Sequence, residues 1–173
     1  MECRLQRVSF ADAKLTRCAC VSTDGSQGVS YAGAMLEACA FAQATTLASV
    51  SFRGAFLKQC SLRGTDLTNA DLGGVRLDGS DLSECILRGA QLDRAIGGES
   101  LFIRADLTGA SLRNANLIDA NLSKAILSLA DLSDANLFRA DVSQALIDST
   151  TRLDGAYTRG AKVWPARRAP RTT

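Results

Sequence analysis

The chain has 173 residues, a mass of 18.3 kDa and a formal net charge of +2, with 46% hydrophobic but only 5% aromatic residues. This length predicts one domain, and the lack of a long apolar run or a signal-like N-terminus favours a cytoplasmic protein without a membrane span. The chain contains no histidine, which excludes Ser–His and Cys–His relays, so we predict that it is not an enzyme.

A five-residue period begins near the N-terminus. Leu5, Phe10, Leu15 and Cys20 stand five apart, and a small residue stands two places before each of them. On a helix, a step of five residues turns the chain by about 500°, so successive large residues would not share one face. On a strand, side chains alternate between the two faces, so residues five apart would lie on opposite faces. A coil that turns once per pentapeptide sends every large residue inward, and stacked coils would bury both residues. The pattern therefore predicts a solenoid.

The first part of the chain, residues 1–46, carries this period less regularly. Residues 21–28 (VSTDGSQG) are turn formers and predict a loop at a corner. The frame shifts by one residue before Tyr31 and again near Thr45, as a β-bulge at a corner would produce. These shifts predict coils one residue longer than four pentapeptides.

From Leu47 to Ile147 the period continues, and it is clearest over 105–142, which reads ADLTG, ASLRN, ANLID, ANLSK, AILSL, ADLSD, ANLFR, ADV. Residues 95–101 (AIGGESL) are a defect, because Gly97 stands where the large residue belongs. The period resumes in frame at Phe102, so we expect a local dent or a small outward loop. A functional loop is the alternative.

The frame slips once more after Ile147, and Tyr157 and Trp164 are large enough to close the last coil. The repeat domain is thus predicted over 1–164, and the basic residues 165–173 are predicted to form a disordered tail. Charge is unevenly spread, with a net +3 over 1–64, −6 over 65–150 and +5 over 151–173.

The repeated pattern resembles A(D/N)LXX, the signature of the pentapeptide-repeat family, over nearly the whole chain. The resemblance implies an all-β fold, a right-handed quadrilateral β-helix of seven to eight coils. Residues twenty apart would then stack at the strand spacing of about 4.8 Å. The predicted interior ladders are Leu62–Leu82–Phe102–Leu122–Val142, Leu67–Leu87–Leu107–Leu127–Ile147, Leu72–Leu92–Leu112–Leu132 and Leu77–Gly97–Leu117–Leu137.

The six cysteines follow the same frame. The cysteines lack CxxC spacing and histidine partners. We therefore predict that they are reduced, that they pack in the interior, and that they bind no metal or other cofactor. A metal or redox site at the evenly spaced Cys18, Cys39 and Cys60 is the alternative. The small inward position holds Cys3, Cys18, Cys39, Cys60 and Cys85, and the large one holds Cys20.

Two outward residues, Ile118 and Phe138, break the rule that a solenoid surface is polar. They stand twenty apart, so they should lie on neighbouring coils and form one patch with Asp119 and Arg139 at its rim. We predict a scaffold or adaptor that binds a protein partner, or a second copy of itself, through an apolar face or an end of the rod.

A second apolar group stands at spacings of forty and twenty and consists of Ile86, Ile126 and Leu146, with Leu129 nearby in sequence. Residues at these spacings should share one side of the rod. The group is either a second contact surface or a set of scattered surface residues that needs no explanation. Both interpretations stay open at this stage.

The quinolone-resistance branch of the family, whose members resemble B-form DNA and bind DNA gyrase, implies an alternative function. The charge of −6 over 65–150 fits a DNA mimic, whereas the +5 at the C-terminus and the Leu-rich core do not. Neither function includes direct nucleic-acid binding. The acidic face of such a mimic would be formed by Asp66, Asp71, Asp81, Asp131 and Asp141.

The C-terminal stretch 135–168, ANLFRADVSQALIDSTTRLDGAYTRGAKVWPARR, is similar to the ends of pentapeptide-repeat proteins associated with bacterial type VI secretion. This resemblance is shorter than the first and is partly generic repeat. It implies an accessory or adaptor role for secreted cargo in a bacterium. A secreted effector role therefore stays open beside the cytoplasmic one.

Overall fold

The structure, a computed structural model, describes residues 8–20, 29–41 and 46–163, except for the side chain of Cys20. The predicted loop at 21–28, Trp164 and the predicted tail at 165–173 lie outside the described residues. Within the described ranges there is no helix, and so none that could cross a membrane. The strands are β1 (Lys14–Thr16), β2 (Ala19–Cys20), β3 (Met35–Glu37), β4 (Ala40–Phe41) and β5 (Phe56–Lys58).

The strands stack in parallel in the order β1–β3–β5 and β2–β4. Later in the chain each pentapeptide contributes one parallel bridge instead of a strand. Bridged residues are twenty apart in the middle, as in Asp106–Ile126, and twenty-one apart near both ends, as in Ser9–Ser30 and Asp131–Arg152. This spacing matches the long first coils and the late frame slip that the sequence predicts.

Four columns of bridges run along the rod, so each coil has four sides, which we number 1 to 4. Three of the columns extend over eight levels within the described residues. Their middle and C-terminal members are Ser61–Asp81–Leu101–Asn121–Asp141–Lys162 on side 1, Asp66–Ile86–Asp106–Ile126–Leu146 on side 2, Asp71–Gln91–Ser111–Asp131–Arg152 on side 3, and Phe56–Arg76–Ile96–Asn116–Asn136–Tyr157 on side 4.

Each corner of the regular coils is a hydrogen-bonded turn. The N–H of the small residue donates to the carbonyl of the large residue three places earlier, as from Ala105 to Phe102 at 3.0 Å. The residue just before the small one has a positive φ, for example +58° at Arg104. That conformation costs a non-glycine residue about 1 kcal/mol or more. The turn hydrogen bonds therefore hold the chain at a five-residue period against this strain.

The predicted ladders form the interior. Leu62, Leu72 and Leu112 are fully buried, as are most of their stacking partners. Ile147 is the member that departs from the prediction, because its side chain is 38% exposed. It lies on the last described level of side 2, where no further coil of the described residues covers it.

Residues 95–101 form an ordinary stretch of coil rather than the dent or outward loop that we expected. Ile96 bridges to Asn116, and the N–H of Gly97 donates to the Asn116 carbonyl at 2.8 Å. Neighbouring side chains fill the space of the missing leucine. A Cβ at Gly97 would lie 3.1 Å from Cδ2 of Leu117 and 3.7 Å from Cε2 of Phe102.

An aromatic cluster packs beside the buried leucines in the first coils. The rings of Phe10 and Tyr31 stack at 5.1 Å between centroids, and those of Tyr31 and Phe52 stack at 4.9 Å. Phe41 packs edge-on against Tyr31 and Phe52. The interior of this region is therefore more aromatic than that of the middle.

Among the described thiols, those of Cys39, Cys60 and Cys85 are buried and that of Cys18 is half-buried. The Sγ of Cys85 donates to the Leu62 carbonyl at 2.9 Å, and burial raises the pKa of this thiol to about 12. No group of three or more Cys, Asp or Glu side chains within the described ranges could hold a metal ion. Cys3 and the side chain of Cys20 lie outside those ranges.

Candidate protein-binding surfaces

Ile118 and Phe138 lie on adjacent levels of side 4, but both are half-buried. The Phe138 ring stacks on Tyr157, with centroids 6.0 Å apart, and the Arg139 guanidinium lies 6.0 Å from the same ring. Arg139 also pairs with Asp119 at 2.9 Å. The structure thus brings the predicted patch and its polar rim together, and adds Tyr157, which we had assigned to closing the last coil.

The second apolar group lies on side 2 and is more exposed. Ile126 and Leu146 are bridged neighbours with exposed fractions of 36% and 53%, whereas Ile86 lies two levels away, beyond Asp106. Leu129 stands at the adjacent corner, is 62% exposed and has a φ of +62°. We call Ile126, Leu129 and Leu146 the side 2 patch.

Sequence reasoning missed a third apolar surface, at the N-terminal levels of side 4. Met35 and Phe56 are paired on β3 and β5 and are 52% and 42% exposed. The Arg76 guanidinium lies 5.3 Å from the centre of the Phe56 ring. The two residues are twenty-one apart, so a search at twenty-residue spacing overlooks them. A search in the longer frame of the first coils would have found them.

The predicted acidic residues lie on three different sides of the rod. Asp66 lies on side 2, Asp71 and Asp131 on side 3, and Asp81 and Asp141 on side 1. Each carboxylate accepts a hydrogen bond from the backbone N–H two residues later, at 2.8–3.0 Å. Such contacts stabilise the local turn. The aspartates therefore have a structural role in the turns and do not form one acidic face.

Arginines from neighbouring coils offset much of the remaining negative charge. Asp131 pairs with Arg113 at 2.7 Å and with Arg152 at 3.3 Å, and a hydrogen bond from Ser133 helps to lower its pKa to about 2. Over the described residues there are fifteen basic and sixteen acidic side chains, a net charge of −1. The long-range negative potential of a rod with this charge is small.

A family model of pentapeptide repeats matches the chain in eight copies. The matched segments are residues 45–84, 60–96, 76–117, 100–138 and 115–148, and together they cover more than half of the chain. No curated protein is significantly similar to it in sequence.

Solved structures of other repeat proteins share the fold. A pentapeptide repeat protein from the Arabidopsis thaliana thylakoid lumen is 28% identical over 62% of this chain and 67% of its own, with a TM-score of 0.50. QnrB1, a plasmid-mediated fluoroquinolone resistance protein, is 19% identical over 91% of this chain and 78% of its own, with a TM-score of 0.73. At that identity the second likeness concerns the fold alone. The chain therefore belongs to the pentapeptide-repeat family and folds as a right-handed quadrilateral β-helix.

Proposed function

We propose that the protein is a non-enzymatic scaffold that binds a protein partner through the side 2 patch. The observation that carries this proposal is Leu129, a large apolar side chain that is mostly exposed and has a positive φ. Glycine, asparagine or aspartate would be less strained at such a corner and better hydrated. Exposed apolar residues that lie close together on neighbouring coils are typical of interaction surfaces.

Hydrogen bonds hold the corner beside the patch in place. The N–H of Leu129 donates to Oγ1 of Thr150 at 2.8 Å, and the hydroxyl of Ser128 donates to Oδ2 of Asp148 at 2.6 Å. Hydrogen bonds from Ser128 and Thr150 lower the pKa of Asp148, so it is a charged group at physiological pH. A patch that is already ordered, with a polar rim, loses little conformational entropy on binding.

The patch formed by Ile118, Phe138 and Tyr157 is a second candidate surface for the same function. Its aromatic pair is of the kind that often anchors an interface. It ranks below the side 2 patch because Ile118 and Phe138 are half-buried. A homodimer through this face or through an end of the rod stays a prediction.

The alternative function is a DNA mimic that binds DNA gyrase. It is supported by the fold shared with QnrB1 and by the net −6 of residues 65–150. The turn contacts of the aspartates and the net −1 of the described residues weigh against it. We therefore place it second.

A link to bacterial type VI secretion stays a hypothesis. The stretch that carries this resemblance, residues 135–168, extends twenty residues past the end of the family match at residue 148. A location in the bacterial cytoplasm is likewise a prediction. Both the secretion link and the cytoplasmic location are compatible with a scaffold function.

The test is a pull-down from the source cell with the wild-type chain and three variants. We expect a Leu129→Ser/Leu146→Ser variant to lose the partner, because apolar anchors contribute about 2 kcal/mol or more to binding. An Asp131→Asn/Asp141→Asn variant should keep it, since both carboxylates already bind groups of their own turns and surface charges contribute about 1 kcal/mol or less. Leu101→Ser on side 1, where the residue is 37% exposed, is the matched control.

A salt series separates the two functions. Binding through the side 2 patch should change little with ionic strength, whereas a DNA mimic should lose its partner steeply as salt rises. If the aspartate variant loses the partner and the leucine variant keeps it, the scaffold proposal is wrong. Inhibition of purified gyrase by the wild-type chain would then identify the mimic.

A further inference from the structure

The N-terminal levels of side 4 combine an apolar recess with basic side chains. Strands β1, β3 and β5 form a small parallel sheet there, with Met35 and Phe56 on its outer surface. These two residues, with Lys14, Lys58 and Arg76 among others, line a cavity of about 170 Å³. This volume is small for a drug-sized ligand but sufficient for one apolar side chain.

The charges around the recess leave a basic excess. Lys58 pairs with Glu37 at 2.9 Å, and Arg76 pairs with Asp78 at 3.2 Å. Lys14 and Arg17 form no ion pair with any other residue in the described ranges. The hydrogen bond and charge of Lys58 lower the pKa of Glu37, and the charges of Lys14 and Arg17 lower it further.

The Phe56 ring is held at the centre of this surface. Its neighbours are Met35 on one side and the Arg76 guanidinium on the other, 5.3 Å from the ring centre. An arginine over an aromatic ring attracts the face of the ring electrostatically and so helps to hold it in place. The surface thus presents an ordered aromatic group beside a cation, in contrast to the net −1 of the described residues as a whole.

From this combination we infer that the N-terminal part of side 4 binds an extended acidic segment of a partner protein. One aromatic or branched aliphatic side chain of the segment enters the recess beside Phe56. Its carboxylates lie against Lys14 and Arg17. This surface is separate from the side 2 patch, and the inference does not depend on the function proposed above.

Charge complementarity favours this occupant over two others. The basic residues 165–173 of the chain itself have the wrong charge. A second copy would place like charges together if the same surface met itself.

The test is fluorescence polarisation with the full chain and three labelled nine-residue peptides. The first alternates Asp and Gly around a central Phe, the second has Lys for every Asp, and the third has Ser for the Phe. We expect the first peptide to bind at least about tenfold more tightly than the other two, since both charge and an apolar anchor contribute. Phe56→Ser and Lys14→Glu/Arg17→Glu should each weaken it about tenfold, whereas Leu101→Ser should not. Unchanged melting temperatures would show that the variants are folded.

Three outcomes would overturn the inference. The first is no binding of the acidic peptide, or equal binding of its lysine counterpart. The second is Phe56-dependent binding to phosphatidylserine vesicles without peptide binding, which would indicate a membrane surface. The third is a Phe56-dependent dimer in sedimentation velocity, which would indicate a second copy. The pull-down with the Leu129→Ser/Leu146→Ser variant tests the side 2 patch, and the peptide assay tests the N-terminal part of side 4. Either proposal can therefore fail without the other.

Discussion

The first coils and the middle of the rod differ in their interior side chains and in the length of their strands. In the middle, every five-residue step is one bridge and one turn around a core of leucine and alanine. In the first coils, side 4 extends into three-residue strands, and aromatic rings stack in the interior. Bridged residues there are twenty-one apart instead of twenty. We infer that the larger side chains of the first coils need the longer coil and thus a wider interior. Among the described residues, continuous strands form only in this region.

The largest effect should come from charging the regular core. Leu112 is fully buried between Leu92 and Leu132 in its ladder, so Leu112→Asp would bury a carboxylate without a partner. We expect a loss of about 4 kcal/mol or more in the free energy of unfolding, measured by thermal or denaturant unfolding. Asn114→Asp, two residues away and exposed, is the control. A variant with an unchanged melting temperature would show that the ladder assignment is wrong.

Exchanging interior residues between the two regions should destabilise both. Phe52→Leu removes the ring that contacts Tyr31 and Phe41, and Leu112→Phe adds volume to a closely packed coil. We expect each variant to lose about 1–3 kcal/mol of unfolding free energy. If Leu112→Phe were stabilising, the middle coils would have unused interior space, and the proposed difference in width would be incorrect.

Substitutions at Gly97 test which side chains fill the space of the missing leucine in the middle region. Gly97→Leu alone should cost about 1–3 kcal/mol, because the new side chain meets Leu117 and Phe102. Adding Phe102→Leu should recover part of that loss by making room. A double-mutant cycle from unfolding free energies measures the coupling between the two sites. Additive effects would mean that Phe102 does not fill the space.

Small polar residues in the interior should differ according to whether they have a partner. The buried hydroxyl of Thr65 has no hydrogen-bond partner among the described residues, whereas that of Ser80 donates to the Leu57 carbonyl at 2.9 Å. Thr65→Val should therefore stabilise the chain by about 1 kcal/mol, and Ser80→Ala should destabilise it by a similar amount. Val75 occupies the equivalent inward position of its own repeat and is fully buried there. Unfolding curves of the two variants should shift in opposite directions.

The smallest effect concerns pH and Asp131. Its pKa of about 2 in the folded state lies below the ordinary value of about 3.9. The group therefore stabilises the fold above about pH 4, and this contribution is lost as the pH falls from about 4 to 2. It should amount to about 1 kcal/mol or less, because solvent screens the pair. The melting temperatures of the wild type and Asp131→Asn should converge in this window, and a constant difference would refute the assignment.

The sequence by itself determined the solenoid, because a five-residue period has no other way to bury every Leu and Ala. It also located the ladders and the frame slips, and it put Ile118 beside Phe138 and Ile126 beside Leu146. These features can be read from the sequence, because a residue's side and level follow from its position in the repeat once the coil length is known.

Only the tertiary structure decided how much of each outward residue is exposed and what it contacts. Phe138 is partly covered by Tyr157 from the next coil, and Asp131 is paired with arginines eighteen and twenty-one residues away. The space at Gly97 is filled by residues of its own coil and the next. Met35 and Phe56 meet only because the first coils are longer. These contacts run between coils, so they depend on side-chain volume and rotamer, which a repeat pattern along the chain does not specify.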